Sequence, residues 1–360
     1  MNRNTRARGL IAVAILAGTT ALTSPAFANM IIDVTYDSTV TGSSQAAQVE
    51  TSFNAVVSQF ESAITNPITV NIYVSLGTIN GSSLTLPSGD ASGSFDTRTN
   101  MTGTSGTSFS NTKAALQSIG DTIGSDPTGG ATFYMPQAEV KALALSSIAY
   151  PTSQPYDGYI GFTSTLSDFS FAGTPTASQY SFQAAAEHEI EEVLGRTSYL
   201  NSTGTAYTTL ATPMDLLRYS APGVQSYTQT TPNGGTPAYA STNGGVTDLG
   251  TFADQTTGGD RTDWQTPVNT TSTDAQNALF TQGTKEGLSI SDEDVLKGLG
   301  YTIAPSNGGG LFSAANAPVG ASAGVNVSQP VPEPASLSLL AAGAGLIGFI
   351  RRRARRPALA

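Results

Sequence analysis

Cysteine is absent from this chain of 360 residues, which contains a single histidine, His188, and a single tryptophan, Trp264. Without cysteine no disulfide can form, so the stability of the fold has to come from a hydrophobic core and from bound ions. Charged residues make up only 12% of the chain, and 26 acidic residues stand against 16 basic ones. An acidic chain has no long-range attraction for nucleic acid or anionic lipid, so we expect no nucleic-acid partner.

The N-terminal region lacks an apolar run long enough to anchor the chain in a membrane. Residues 1–28 begin with a segment that contains three arginines, continue with an apolar run over residues 10–17, and end in Ala26-Phe27-Ala28. This pattern predicts a signal peptide that signal peptidase removes, so that the mature chain starts at Asn29. The alternative, a membrane anchor, requires a longer apolar run.

The C-terminal region, residues 331–356, has three parts in a fixed order. Pro332-Glu333-Pro334 precedes an apolar run over residues 335–350, and five arginines follow between residues 351 and 356. The order resembles the PEP-CTERM sorting signal of Gram-negative bacteria. The resemblance implies transient anchoring in the inner membrane, with the arginines on the cytoplasmic side, and cleavage by an exosortase-type enzyme that releases the protein to the cell surface or the medium. A plain tail anchor is the alternative.

The region between these two segments is strongly acidic. Removing three arginines with the signal peptide, and five arginines and Glu333 with the tail, leaves 8 basic residues against 25 acidic ones, a net charge of −17. Residues 29–303 are enough for one large domain. Residues 304–330 are rich in Gly, Ala, Asn, Ser and Pro, which predicts a flexible linker to the sorting segment.

Hydrophobic periodicity predicts an α+β fold with a small mixed sheet, a long helix and a second helix around His188, followed by a loop-rich C-terminal part. A closing helix is predicted to start from a capping box of Ser291 and Asp294. The remaining predicted elements are a strand at Met30–Val40, a helix at Gln45–Ile64, a strand at Ile68–Val74, a helix at Met135–Ser146 and a strand at Gly158–Phe162.

The helix predicted at Ser181–Leu194 carries the only histidine. The stretch contains four glutamates and no proline or glycine, and Gly195 ends it. His188 and Glu192 are four residues apart and share one face of such a helix, while Glu189 projects from its flank. An imidazole and a carboxylate one turn apart have metal-ligand spacing, and a neighbouring carboxylate can act as a base. The alternative is a solvated face, which is the usual place for four glutamates on one helix.

The string from His188 to Gly195 resembles the active-site helix of zincin metalloproteases, in particular the HExxHxxGxxH motif of metzincins. The resemblance implies that His188 and Glu192 bind zinc, with Glu192 in the position of the second histidine, and that Glu189 is the general base. It also implies a cleft-side edge strand, matched here by Tyr159–Thr163, that pairs with a protein or peptide substrate. A cysteine-switch latch is excluded because the chain has no cysteine.

The sequence does not decide which residue is the third metal ligand. Ser198 occupies the family position, and Asp215 is the first choice because a short carboxylate in a turn completes a set of one histidine and two carboxylates. Its alternative is capping a helical turn. Met214 and Tyr219 resemble the methionine turn and the oxyanion-stabilising tyrosine of metzincins.

Four aspartates, Asp248, Asp254, Asp260 and Asp263, follow in Thr- and Gly-rich loops. They have oxygen ligands that suit Ca²⁺, but their spacing fits no EF-hand, and solvated turn residues are the favoured interpretation.

These observations support three functions. The first is an exported metal-dependent endopeptidase in which Glu189 activates a water held by one Zn²⁺; the carboxylate-rich site also suits other divalent ions. The second is a catalytically degenerate zincin-like protein that binds other molecules without cleaving them, at the cell surface or in the exopolysaccharide matrix. The third is a structural protein in which the helix is only packing.

Overall fold

The computed structural model describes residues 29–84, 97–101, 103–126, 130, 132–145, 155–199, 210–226, 238–253, 260–265 and 273–304. The chain divides into two units, Met1–Ala317 and Pro318–Ala360, and every described residue belongs to the first. The predicted signal peptide and sorting segment lie outside the described residues, as does the predicted linker beyond Ala304.

The first unit contains helices as well as several small sheets. Its α-helices are α1 Ser38–Thr41, α2 Ala46–Ala63, α3 Phe109–Ser118, α4 Gln137–Ala142, α5 Phe182–Val193 and α6 Ile290–Gly298, with two 3-10 helices, η1 Leu166–Asp168 and η2 Pro213–Leu217. Its strands are β1 Ile31–Tyr36, β2 Thr69–Leu76, β3 Thr78–Ile79, β4 Ser82–Ser83, β5 Thr97–Met101, β6 Gly103–Thr107, β7 Thr132–Pro136, β8 Gly158–Phe162, β9 Phe169–Ser170, β10 Tyr180–Ser181, β11 Leu210–Ala211, β12 Arg218–Ala221, β13 Val224–Gln225, β14 Tyr239–Ala240 and β15 Gly250–Thr251.

The main sheet has four strands in the order β1-β2-β8-β5. β1, β2 and β8 run parallel, and β5 runs antiparallel to β8. β8 therefore pairs on both sides, so the expectation that Tyr159–Thr163 forms a free edge is wrong. Within the described residues the antiparallel strand β5 is the edge on that side, and it contacts α5.

Helix α2 connects β1 to β2 and packs on the sheet. Its apolar residues recur at spacings of three and four, so one face is fully buried. β2 alternates at period two, which points Val70, Ile72 and Val74 into the same core. Both elements lie within two residues of their predicted bounds, and β8 lies at its predicted bounds.

Three local predictions are wrong for identifiable reasons. The first strand stops at Tyr36 because the side chain of Asp37 accepts from the backbone of Thr39 and Val40 and starts α1. The predicted helix Met135–Ser146 begins later, since Thr132–Pro136 forms strand β7. Helix α6 begins after Ser289, and the true capping box pairs Ser289 with Asp292.

The second half of the first unit is loop-rich, with short strands around β12. β12 pairs antiparallel with β13 and β14, and β14 pairs with β15. Together with the mixed first sheet, this arrangement is compatible with the α+β class that the sequence predicts.

Helix α5 lies tightly against the main sheet at Gly158 of β8. A Cβ atom at Gly158 would lie 2.4 Å from Cγ2 of Val193, the last residue of α5. We expect Gly158→Ala to lower the free energy of unfolding by about 1 to 3 kcal/mol, because an extra methyl group in a filled core forces side chains or backbone to shift.

Urea denaturation of Gly158→Ala, of Val193→Ala and of the double variant checks this contact. Val193→Ala makes room for the new methyl group, so the double variant should be more stable than the sum of the two single effects predicts. Strict additivity would show that the helix and the strand do not meet as described.

Candidate functional site

Helix α5 begins and ends with defined caps. The Ser181 side chain accepts from the Ala184 backbone N–H at 3.2 Å, and Gly195 follows the helix with a φ of 120°, a conformation that favours glycine. All four glutamates of α5 are buried, with Glu191 fully enclosed and Glu192 only 7% exposed. The interpretation of this helix as a solvated acidic face is therefore wrong.

His188, Glu192 and Asp263 converge at one place. His188 Nε2 lies 3.7 Å from Glu192 Oε1 and 3.6 Å from Asp263 Oδ1. One atom from each of the three side chains lies within 4.8 Å of the other two. Tetrahedral zinc with bonds of about 2.1 Å separates its ligand atoms by about 3.4 Å. The three side chains thus need only small shifts to bind one ion.

The histidine is oriented for ligation through Nε2. Its Nδ1 lies 2.9 Å from the carbonyl oxygen of Ala275, which can only accept, so Nδ1 carries a hydrogen. In the neutral ring the lone pair is then on Nε2, which faces the two carboxylates. A backbone carbonyl that fixes the ring in this way is typical of metal-binding histidines.

Asp263 offers one unsatisfied oxygen. Its Oδ2 accepts from the backbone N–H of Asp260 at 2.6 Å, whereas its Oδ1, the atom nearest His188, is buried and accepts no hydrogen bond among the described residues. A buried carboxylate oxygen without a donor is costly, and a bound cation removes that cost.

The electrostatics of the three side chains also favour a cation. Burial, and then the charges of Glu189, Asp260 and Asp263, raise the pKa of Glu192 well above its usual range. Burial also raises the pKa of Asp263, while His188 acts in the opposite direction. Burial alone lowers the pKa of His188, but Asp263 and Glu189 outweigh it and the net shift is upward. These shifts reflect negative charge crowded together in a buried place, which a bound cation would offset.

Glu189 lies beside this group without belonging to it. Its side chain is 2% exposed, and its charge raises the pKa of both His188 and Glu192. The exposed Asp260 is also close, because its side chain is hydrogen-bonded to that of Glu192. The site thus has two further carboxylates next to the three converging side chains.

The other two glutamates of α5 belong to a separate buried cluster. Glu191 accepts from the Arg196 guanidinium at 3.1 Å. Glu187 accepts from the backbone of Leu288, and burial raises the pKa of Glu187 well above its usual range. Neither side chain takes part in the group around His188.

Asp215, the predicted third ligand, is not among the residues brought together. It lies at the third position of η2, where its carboxylate accepts from the Thr212 backbone N–H at 2.8 Å and from the Ser198 hydroxyl. The carboxylate of Asp215 therefore caps the helical turn, which is the alternative that the sequence left open. Ser198, the other ligand candidate, donates to Asp215.

Tyr219 lies in β12 with its ring buried. Its hydroxyl donates to the carbonyl oxygen of Thr122 at 2.8 Å, and burial together with the charge of Asp121 raises its pKa to about 12. The Tyr219 hydroxyl thus bonds to a backbone carbonyl oxygen, whereas the resemblance implied that it stabilises an oxyanion. Met214 is fully buried in η2 and belongs to the core.

The sequence placed Asp263 with three other aspartates that suit Ca²⁺ and did not assign it to the site of His188. It is 3% exposed, so its interpretation as a solvated turn residue is wrong, whereas Asp248 and Asp260 are exposed and Asp254 lies outside the described residues. No spacing rule connects it to α5, which is far away in the chain. The one available signal was its position next to the only tryptophan, since a tryptophan side chain is usually buried.

Comparison with known protein families gives one match. Residues 330–356 match the model of the PEP-CTERM protein-sorting motif. The chain is therefore an exported protein that carries a signal for exosortase processing at the membrane of a Gram-negative bacterium, as the sequence predicted. No curated protein and no solved structure matches the chain. Among the described residues no helix is long and apolar enough to cross a membrane.

Proposed function

We propose that the chain is an exported metal-dependent endopeptidase of the zincin type. The observation that carries the proposal is the convergence of His188, Glu192 and Asp263 within 4.8 Å of one another, with the carboxylate of Glu189 beside them. In this proposal Asp263 takes the ligand position that the sequence favoured for Asp215. The PEP-CTERM match supports the export of such an enzyme.

The donor set favours a divalent ion with some tolerance for its identity. One imidazole nitrogen and two carboxylate oxygens suit Zn²⁺, which is the first choice, and the high oxygen content also suits Mn²⁺ or Ca²⁺. When bound, the ion supplies Lewis-acid polarisation of a carbonyl oxygen and acidifies water.

The chain's own residues perform the proton transfers. Glu189 removes a proton from the attacking water while the water oxygen bonds to the carbonyl carbon of the peptide, and it then delivers that proton to the nitrogen that leaves. His188 is held in place by Ala275, so the site keeps its geometry while protons move. A carboxylate that is 2% exposed is well suited to this role, because a poorly hydrated base accepts a proton readily.

We also place the substrate along β5. This strand is the antiparallel edge of the main sheet within the described residues, and it contacts the helix that carries His188 and Glu189. An extended peptide can add to such an edge through backbone hydrogen bonds. Substrate pairing, which the sequence assigned to Tyr159–Thr163, is therefore reassigned to β5.

A binding protein without catalytic activity is the second candidate, and one observation favours it. Asp260 interacts with Glu192 and raises its pKa, so a fourth carboxylate lies next to the three converging side chains and could become a ligand after a shift. Four protein ligands would leave no open position for water, which is the arrangement of structural metal sites. The protein would then act at the cell surface or in the exopolysaccharide matrix without cutting.

Metal content and casein hydrolysis of the full chain test the proposal together. We expect about one divalent ion per chain, hydrolysis that stops after chelation, and recovery of hydrolysis on adding Zn²⁺ or Mn²⁺. Bound metal without turnover on casein or on a peptide library would favour the binding protein. If the chain takes up no Zn²⁺, Mn²⁺ or Ca²⁺, helix α5 has only a structural role.

A further inference from the structure

Arg196 follows directly after Gly195 at the end of α5 and is fully buried. Its Nη1 donates to Glu191 Oε2 at 3.1 Å and to Asp292 Oδ1 at 2.7 Å. These two carboxylates fix the guanidinium between α5 and the start of α6. A buried arginine held by two carboxylates has little freedom to move, so the groups it contacts are also held.

The guanidinium also holds both chain neighbours of Asp263. Arg196 Nε donates to the carbonyl oxygen of Thr262 at 3.1 Å, and the Thr262 hydroxyl donates back to the carbonyl oxygen of Arg196 at 3.1 Å. On the other side of Asp263, the ring of Trp264 lies 4.2 Å from the Arg196 guanidinium carbon. Trp264 Nε1 donates to the same Asp292 oxygen at 2.7 Å. Asp263 is thus the one residue between two that Arg196 contacts.

A second arginine supports the same loop one residue further out. Arg218 Nη1 donates to the carbonyl oxygen of Arg261 at 2.6 Å, and its guanidinium lies over the ring of Phe252 at 4.1 Å. Phe252 in turn stacks on Trp264. Arg218 contacts the loop at Arg261 and packs on Phe252, whereas Arg196 contacts both neighbours of Asp263, which makes Arg218 a matched comparison for Arg196.

We propose that Arg196 is a positioning residue that holds Asp263 against His188 and Glu192 and so completes the metal site. This inference rests on the proposed function, because it needs the three side chains to bind an ion. Asp263 is distant from α5 in the chain, and Arg196 connects the end of the helix to the Thr262 backbone on one side of Asp263 and to the Trp264 ring on the other. The helix that supplies two ligands thereby also positions the third.

The test compares Arg196→Lys with Arg218→Lys in the full chain. Lysine can keep an ion pair with Glu191 and Asp292, but it lacks the second nitrogen that reaches Thr262 and the plane that packs on Trp264. Zn²⁺ affinity measured by chelator competition should fall about 10- to 100-fold in Arg196→Lys, the range found for residues that orient metal ligands. We expect a change below about 3-fold in Arg218→Lys. The visible spectrum of the Co²⁺-loaded protein should change only in Arg196→Lys.

A double variant distinguishes positioning from a general loss of structure. In an Asp263→Asn background the ligand is already gone, so adding Arg196→Lys should not weaken Zn²⁺ binding further. An equal loss in both backgrounds, or unchanged Zn²⁺ affinity in Arg196→Lys, would overturn the inference while leaving the metal site intact. Absence of Zn²⁺, Mn²⁺ and Ca²⁺ binding by the unaltered chain would overturn the proposed function and this inference together.

If Arg196→Lys does not fold, Thr262→Val replaces it. Valine has the shape of threonine and removes only the hydroxyl that donates to Arg196. We expect Zn²⁺ binding to weaken by about 3- to 10-fold, as for the loss of one buried hydrogen bond. Zn²⁺ affinity equal to that of the unaltered chain in this variant would count against the inference.

Discussion

Replacing Glu189 with glutamine should abolish detectable casein hydrolysis and leave the metal content unchanged. Glutamine keeps the size of the side chain but cannot accept a proton, and the loss of a general base typically lowers kcat by about 10²- to 10⁴-fold. Metal binding persists because His188, Glu192 and Asp263 are unaltered. The measurement is kcat and KM on a fluorogenic peptide, with the metal content determined on the same preparation.

Glu187→Gln is the matched control for this experiment. The change is chemically identical and lies two residues earlier on α5, in the separate cluster near Leu288. Burial raises the pKa of Glu187 well above its usual range, which favours its neutral form, and glutamine is a neutral side chain of the same size. Activity close to that of the unaltered chain is expected. A Glu189→Gln protein that keeps full activity would exclude Glu189 as the base, and one that loses its metal would make Glu189 a ligand.

We expect Asp263→Asn to raise the dissociation constant for Zn²⁺ by more than about 100-fold, whereas Asp215→Asn should leave it unchanged. Removing a ligand charge should cost more than the 10- to 100-fold loss typical of residues that only orient ligands. Asparagine at position 263 still has an oxygen that can accept from Asp260, so the loop is expected to keep its fold. Chelator competition on both variants, side by side, decides which aspartate binds the ion.

Asp215→Asn should instead affect stability. The carboxylate of Asp215 accepts from the Thr212 backbone and from the Ser198 hydroxyl, and weakening such a cap typically costs about 1 to 2 kcal/mol. A lower urea midpoint with unchanged Zn²⁺ affinity is the expected pair of results. The reverse pair, with tight binding in Asp263→Asn and weak binding in Asp215→Asn, would restore the ligand that the sequence favoured.

The elements predicted well share one property. α2, β2, β8 and α5 are each defined by the spacing of apolar residues within a single stretch of chain, and each lies within two residues of its predicted bounds. The errors occur at the ends of elements, where a neighbouring side chain caps a helix and so changes the conformation of the backbone. Asp37 ends the first strand by capping α1, and Ser289 takes the capping position that had been assigned to Ser291.

The amino-acid sequence by itself determined the C-terminal sorting segment and the face of α5 on which His188 and Glu192 stand one turn apart. Those features depend on helix geometry and on short-range order, which act between near neighbours in the chain. The tertiary structure decided the burial of all four glutamates, the pairing of β8 on both sides and the choice of Asp263 to face the histidine. Asp263 lies beside α5 in a loop that Arg196 contacts at Thr262, 66 residues away in the chain, and no local pattern specifies a contact at that separation.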